Sequence, residues 1–251
     1  MKLYESAADR ARLLYRIPAV PGTKRTLELY HSDPPLHPHC ESAVRPLTLC
    51  RIGSRNQTET EANLVSTNKM QADVHVGCHE ALPFPDGSFD MVILHRTLDE
   101  LAASQIAGQR SFEPSVFLKH IKAALSPGGV VAGCVTNRWA LSAMRAKLRP
   151  FAARAQDQRQ PGHYSLAGVR KSLITAGFSG VRVFTLLPNC AAPSKLIDTD
   201  PAISRIAFRN ELHIARHRKA TSSYFARVAM VELGMNRYLE EAFFFWAVKP
   251  C

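Results

Sequence analysis

The amino-acid sequence predicts an α/β fold, an open, doubly wound, mostly parallel sheet flanked by helices, and three observations carry that expectation. With 251 residues and 46% hydrophobic content, the chain can bury a full core as one domain. Short apolar runs alternate with helix-forming stretches, and strand, helix, strand in this rhythm implies parallel pairing through right-handed crossovers. Finally, Glu80-Ala81-Leu82-Pro83-Phe84-Pro85-Asp86-Gly87-Ser88-Phe89-Asp90 forms a tight Pro/Asp/Gly turn that delivers an aromatic and an acid into Met91-Val92-Ile93-Leu94. Such a construction marks the entry to a buried strand.

Taken in order, Ala7 to Tyr15 has helix-forming composition and is ended by Ile17 to Gly22, which suits a lid or entry helix. Thr26 to Tyr30 reads as a first strand and Pro46 to Ile52 as a second. Ser54 to Met70 is polar with weak helical periodicity, and Asp73 to Val76 is a short alternating strand. After the 91–94 strand, Phe117 to Leu125 reads as an amphipathic helix, Ser126-Pro127-Gly128-Gly129 as its stop, and Val130 to Val135 as the next strand. His163 to Phe178 and Val181 to Phe184 form a further helix and strand pair. Pro188 to Pro201 reads as a loop, Ile203 to Arg218 and Ser222 to Leu233 as helical, and the aromatic run in Leu239 to Val248 as a last buried strand. The chain thus divides as one domain: residues 1–25 an N-terminal helix or lid, 26–187 the core sheet, 188–238 a helical insertion and 239–251 the last strand.

No apolar run approaches bilayer-spanning length, and the start carries an acid early with no signal-peptide hydrophobic block, so a cytoplasmic location is expected. The six cysteines lack paired spacing, which argues against a disulfide framework. The net charge of +11 attracts anionic partners. It is concentrated somewhat at Arg205, Arg209, Arg216, Arg218, Lys219 and Arg227, a pattern that suits a solvated helix face. A nucleic acid, an anionic small substrate, an acidic partner or a membrane surface would each fit the sign. His31, His37, His39 and Cys40 crowd one Pro-rich loop, but their spacing matches no zinc motif and no metal is assigned.

The segment from Ala81 to Val92, the Leu125 to Gly129 element and the helix and strand pair from His163 to Phe184 together resemble the class I S-adenosylmethionine-dependent methyltransferase superfamily, of the type 11-like group. The resemblance covers residues 72 to 190 well. It implies a Rossmann-like sheet of seven strands whose last strand is antiparallel, with residues 181–187 and 242–248 paired around the helical insertion. It also implies S-adenosylmethionine as cofactor, bound at the carboxyl ends of the strands. Carried onto this sequence, the cofactor positions are Glu28, Tyr30, Ser32, Arg51, Cys78, His79, Glu80, Ala81, Leu82 and Leu94.

Three of those positions depart from the family pattern. Tyr30 to Pro34 contains no glycine where a glycine-rich turn lets backbone approach the methionine moiety. Arg51 stands where an acid accepts the ribose hydroxyls, and an arginine accepts nothing. Cys78 stands where an aspartate lies beside the adenine. The resemblance assigns His95 and Asp99, after the fourth family strand, as catalytic candidates, with His95 as general base or as a helix cap or wall residue. It assigns Arg96, Asn137, Arg138, His163 and Tyr164 to the substrate side, where Asn137 can equally cap a helix. Three functions follow: a methyltransferase acting on a small-molecule, lipid-linked or peptide natural-product substrate; a catalytically inactive relative serving as scaffold or partner subunit; and, resting on charge alone, an RNA methyltransferase or RNA-binding relative.

Overall fold

The structure, a computed structural model, describes residues 25–30, 47–51, 82–104, 112–140, 164–187, 195–216 and 228–251. Among the described residues seven strands form one sheet in the order β2-β1-β3-β4-β7-β5-β6. They are β1 (Thr26–Tyr30), β2 (Leu47–Arg51), β3 (Phe89–His95), β4 (Leu125–Thr136), β5 (Ser179–Leu187), β6 (Lys195–Asp198) and β7 (Ala242–Val248). The helices are α1 (Thr97–Ser104), α2 (Pro114–Ala124), α3 (Leu166–Thr175), α4 (Pro201–Arg216) and the single turn α5 (Asn236–Leu239), with a further helical stretch over 228–232. The β2-β1-β3-β4 half is parallel, whereas β7 runs antiparallel to both β4 and β5, and β6 antiparallel to β5.

Side-chain alternation explains why these strands lie inside. Leu27, Leu29, Val92, Leu94, Val131, Val135, Phe243 and Phe245 point to one face and join Leu98 and Leu101 of α1, Phe117, Leu118 and Ile121 of α2, and Val169 and Leu173 of α3 in the main core. On the opposite face Ala132, Cys134, Leu186 and Phe244 pack together with Phe184 and Trp246. Strands covered on both faces read as continuous apolar runs, as β7 does.

The segment most visible in the sequence is a structural corner. Phe84 meets Phe89 edge to face at 5.1 Å, and Gly87, at φ +72°, donates its N–H to Ala123 O at 3.0 Å. The Asp90 carboxylate accepts the Arg25 N–H at 3.0 Å and the Ser126 hydroxyl at 3.0 Å, fastening the start of β1 to β3 and β4.

The sheet differs from the sequence expectation in particulars. Lys195–Asp198, read as loop, pairs with β5 from Leu187↔Lys195 to Phe184↔Asp198. A four-residue edge strand with charged ends carries too little apolar pattern to announce itself, and charge on an edge discourages further pairing. Ser126 to Gly129, read as a helix stop, lies within β4, where the register against β3 shifts between Phe89 and Met91 and Gly128 takes φ +73°. α4 starts at Pro201 instead of Ile203, because Asp200 Oδ1 accepts the Ala202 N–H at 2.9 Å and the Ile203 N–H at 3.3 Å, and proline suits the first helical position. α4 buries Phe208 against Ile197 and Val231. The expected strand at Asp73 to Val76, the helix at Ala7 to Tyr15 and the His31 to Cys40 loop lie outside the described residues. Among the described residues no helix is long and apolar enough to cross a membrane.

Candidate functional site

The strand ends define one edge. In the parallel half Tyr30 closes β1 level with Arg51 of β2, Leu29 pairs with Leu94, and His95, the last residue of β3, pairs with Cys134. Open parallel sheets bind ligands beyond this carboxyl edge. Immediately after His95 the chain turns through Arg96, whose φ of +56° lies in the left-handed region. A non-glycine residue there costs about 1 kcal/mol or more and persists only where its surroundings impose it. Here the Arg96 N–H donates to Cys134 O at 3.2 Å, and buried Thr97 donates its hydroxyl to Leu29 O at 2.7 Å. The turn between β3 and α1 is therefore bonded to the strands on both sides.

Asp99, the third residue of α1, is 1% exposed. Its Oδ2 accepts the Thr136 N–H at 2.6 Å, while Oδ1 is buried without a hydrogen-bond partner. Burial pushes the Asp99 carboxyl up to about 7, against the lowering effect of the Thr136 hydrogen bonds and the Arg96 charge. A carboxyl poised near neutrality at a sheet's carboxyl edge can hold or release a proton. Tyr164 donates its hydroxyl to Leu98 O at 3.2 Å, and burial, with the nearby Asp99 charge, raises its phenol well above the usual range.

Beyond Thr136, Asn137 acts as a clamp. Its Nδ2 donates to Tyr238 O at 2.6 Å and Glu240 O at 2.8 Å, its Oδ1 accepts the Trp139 N–H at 3.0 Å, and its own N–H donates to Glu241 O at 2.9 Å. The next residue, Arg138, donates its N–H to Tyr164 O at 2.8 Å, beside the isolated Asn137↔Tyr164 bridge. The Arg138 guanidinium lies 4.7 Å from the centre of the exposed Trp139 ring.

The sequence-predicted positions thus fall into four groups. Asp99, Arg96, Asn137, Arg138 and Tyr164 come together where β3 and β4 end. Glu28 and Tyr30 are buried on β1, and Leu82 and Leu94 pack into the main core. Arg51 and His95 are placed by their backbone at the ends of β2 and β3. Ser32, Cys78, His79, Glu80, Ala81 and His163 lie outside the described residues. Sequence reasoning missed Thr97, Thr136 and Trp139. Only Trp139 carried a legible signal, an aromatic beside an arginine just past a strand.

Residues 48–133 match a family model described as a methyltransferase domain, a stretch that runs from β2 into β4. Among solved structures, a SAM-dependent methyltransferase from Archaeoglobus fulgidus aligns with 97% of this chain and 95% of its own at a TM-score of 0.52 and 16% identity. Phosphoethanolamine N-methyltransferase 2 of Haemonchus contortus, solved with phosphomonomethylethanolamine and S-adenosylhomocysteine, aligns with 97% of this chain at a TM-score of 0.51 and 16% identity. This chain spans about half of that enzyme's length, 52%. The cyclopropane synthase MmaA2 of Mycobacterium tuberculosis aligns with 95% of this chain and 83% of its own at a TM-score of 0.51 and 13% identity. No curated protein matches the chain. At these identities the likeness is one of fold. The methyltransferase-domain match is thus confined to residues 48–133, and over the rest of the chain the solved structures show a shared fold.

Proposed function

We propose that the chain is an S-adenosylmethionine-dependent methyltransferase-like protein acting on a small-molecule, lipid-linked or peptide natural-product substrate, in the cytoplasm. The observation that carries this reading is the bonded carboxyl edge: Thr97 to Leu29, Asp99 to Thr136 and Arg138 to Tyr164 hold three segments in one place beyond the parallel strands. His95, which ends β3, is the proposed proton acceptor, and buried Asp99 supports the edge beside it while its free Oδ1 can hold a proton. Arg96, Arg138 and Tyr164 stand on the substrate side.

A second reading, a catalytically inactive scaffold or partner subunit, is favoured by one specific observation. The register sets Tyr30 beside Arg51 where the superfamily resemblance calls for a glycine turn and an acid. Tyr30 is 9% exposed and fills the end of β1, and an arginine offers only donors. These two residues do not fit the usual contacts to adenosylmethionine. On the first reading the nucleoside is therefore held through an altered pocket, and no chemical step is assigned to the cofactor.

Titration calorimetry with adenosylmethionine and adenosylhomocysteine separates the two readings. Saturable heat at micromolar concentration is the result expected of the first, and absence of heat with either nucleoside selects the second. Retention on RNA that falls steeply with salt would instead point to a nucleic-acid substrate.

A further inference from the structure

We propose that Arg138 and Trp139 form a recognition shelf for a small-molecule substrate that joins a planar unsaturated ring to an anionic group, a carboxylate or a phosphate. The assignment deepens the proposed function and rests on it for the location of the reaction.

Trp139 leaves 47% of its surface in water. Its backbone, by contrast, is fixed. The Trp139 N–H is held by Asn137 Oδ1, Asn137 is itself buried and bonded to three carbonyls of the segment entering β7, and the Arg138 N–H is held by Tyr164 O. The backbone that carries the exposed indole is thus pre-organised by bonds to neighbouring segments, and only side-chain freedom remains to be lost on binding. Its place, just beyond the end of β4 at the carboxyl edge, is where open sheets of this kind receive ligands.

Arg138 supplies the charge. Its guanidinium stacks against the indole at 4.7 Å, and among the described residues no carboxylate lies within ion-pairing reach of it. A guanidinium held flat on an aromatic face keeps its edge N–H groups free, and that edge matches the paired oxygens of a carboxylate or phosphate. A ring lying on the exposed part of the indole would bring its anionic substituent to the same edge. The net charge of +11 adds attraction of the same sign at longer range.

The test uses the full chain and ligand-observed saturation-transfer NMR with three probes: 4-hydroxybenzoate, phenyl phosphate and the neutral 4-hydroxybenzamide. Both anions are expected to bind about tenfold more tightly than the amide. Arg138→Gln is expected to erase that preference while leaving the amide's affinity unchanged. Trp139→Leu is expected to weaken all three probes, and Trp139→Phe to restore most of the loss. Both side chains are exposed, so unfolding midpoints serve as a check that the variants remain folded. Equal affinity for charged and neutral probes, or a preference indifferent to Arg138→Gln, overturns the proposal. So does retention of oligouridylate without uptake of any probe, which would assign the shelf to single-stranded nucleic acid. The probes are read without nucleoside, so a failed adenosylmethionine titration removes the methyltransferase reading and leaves this measurement to stand or fall by itself.

Discussion

The Asp99 carboxylate accepts the Thr136 N–H at 2.6 Å and so ties the first turn of α1 to the last residue of β4. One oxygen is bonded and the other is buried without a partner, so the ionised form is disfavoured and its burial raises the carboxyl to about 7. In the unfolded chain the same group titrates near 3.8. Between these values the folded state holds a proton the unfolded state has released, and stability falls as pH rises through that window. The loss is on the order of a few kcal/mol. Asp99→Asn keeps an oxygen for the Thr136 N–H and has no charge to bury. Urea unfolding of both proteins from pH 4 to pH 8 is expected to give a difference that grows with pH in favour of the variant. Parallel curves would contradict it.

Asn137 serves two carbonyls and one N–H at once, a task only an amide performs. Asn137→Ala removes three hydrogen bonds to part-buried groups and is expected to cost about 2–4 kcal/mol. Asn137→Asp should be at least as damaging at pH 8, because its carboxylate would face Tyr238 O and Glu240 O. Denaturant midpoints of the two variants check the order.

Two glycines of β4 differ in the reason they are glycine. At Gly133 an added Cβ would meet the Leu94 backbone oxygen and come within 2.8 Å of the Phe245 ring, both in the closed core. Gly133→Ala is therefore expected to cost about 3 kcal/mol or more. At Gly128 nothing lies within 4 Å of the new atom, and only the φ of +73° opposes it. Gly128→Ala is expected to cost about 1–2 kcal/mol. Thermal unfolding of the pair distinguishes packing from backbone strain.

The Arg209–Glu232 ion pair joins α4 to the 228–232 stretch, but its side chains are 54% and 46% exposed. Hydration and salt screening offset most of such a contact. Glu232→Gln is expected to leave the unfolding midpoint unchanged at physiological salt. Phe208→Ala, which opens the small core beneath the same helix, is expected to lower it clearly.

Much of the sheet was legible because its strands are apolar runs between glycine and proline punctuation. Thr26–Tyr30, Leu47–Arg51, Phe89–His95 and Ala242–Val248 stand close to where the pattern puts them. Lys195–Asp198 was not legible, since only Leu196 and Ile197 are apolar and its identity as a strand comes from pairing with β5. The site divides in the same way. Asp99 and Asn137 were visible as polar residues just past strands, a local signal. Their burial and partners were not, because Thr136 lies 37 residues from Asp99, and Tyr238 and Glu240 lie 101 and 103 residues from Asn137. Leu94, expected beside a nucleoside, shares its face with Val92 and goes to the core, as strand alternation requires.

The central claim is that a nucleoside binds at the carboxyl edge even though Tyr30 and Arg51 stand at the ends of β1 and β2. Calorimetric titration of the full chain with adenosylhomocysteine tests it most directly. One saturable site of micromolar affinity is expected. A flat thermogram across that range would contradict it.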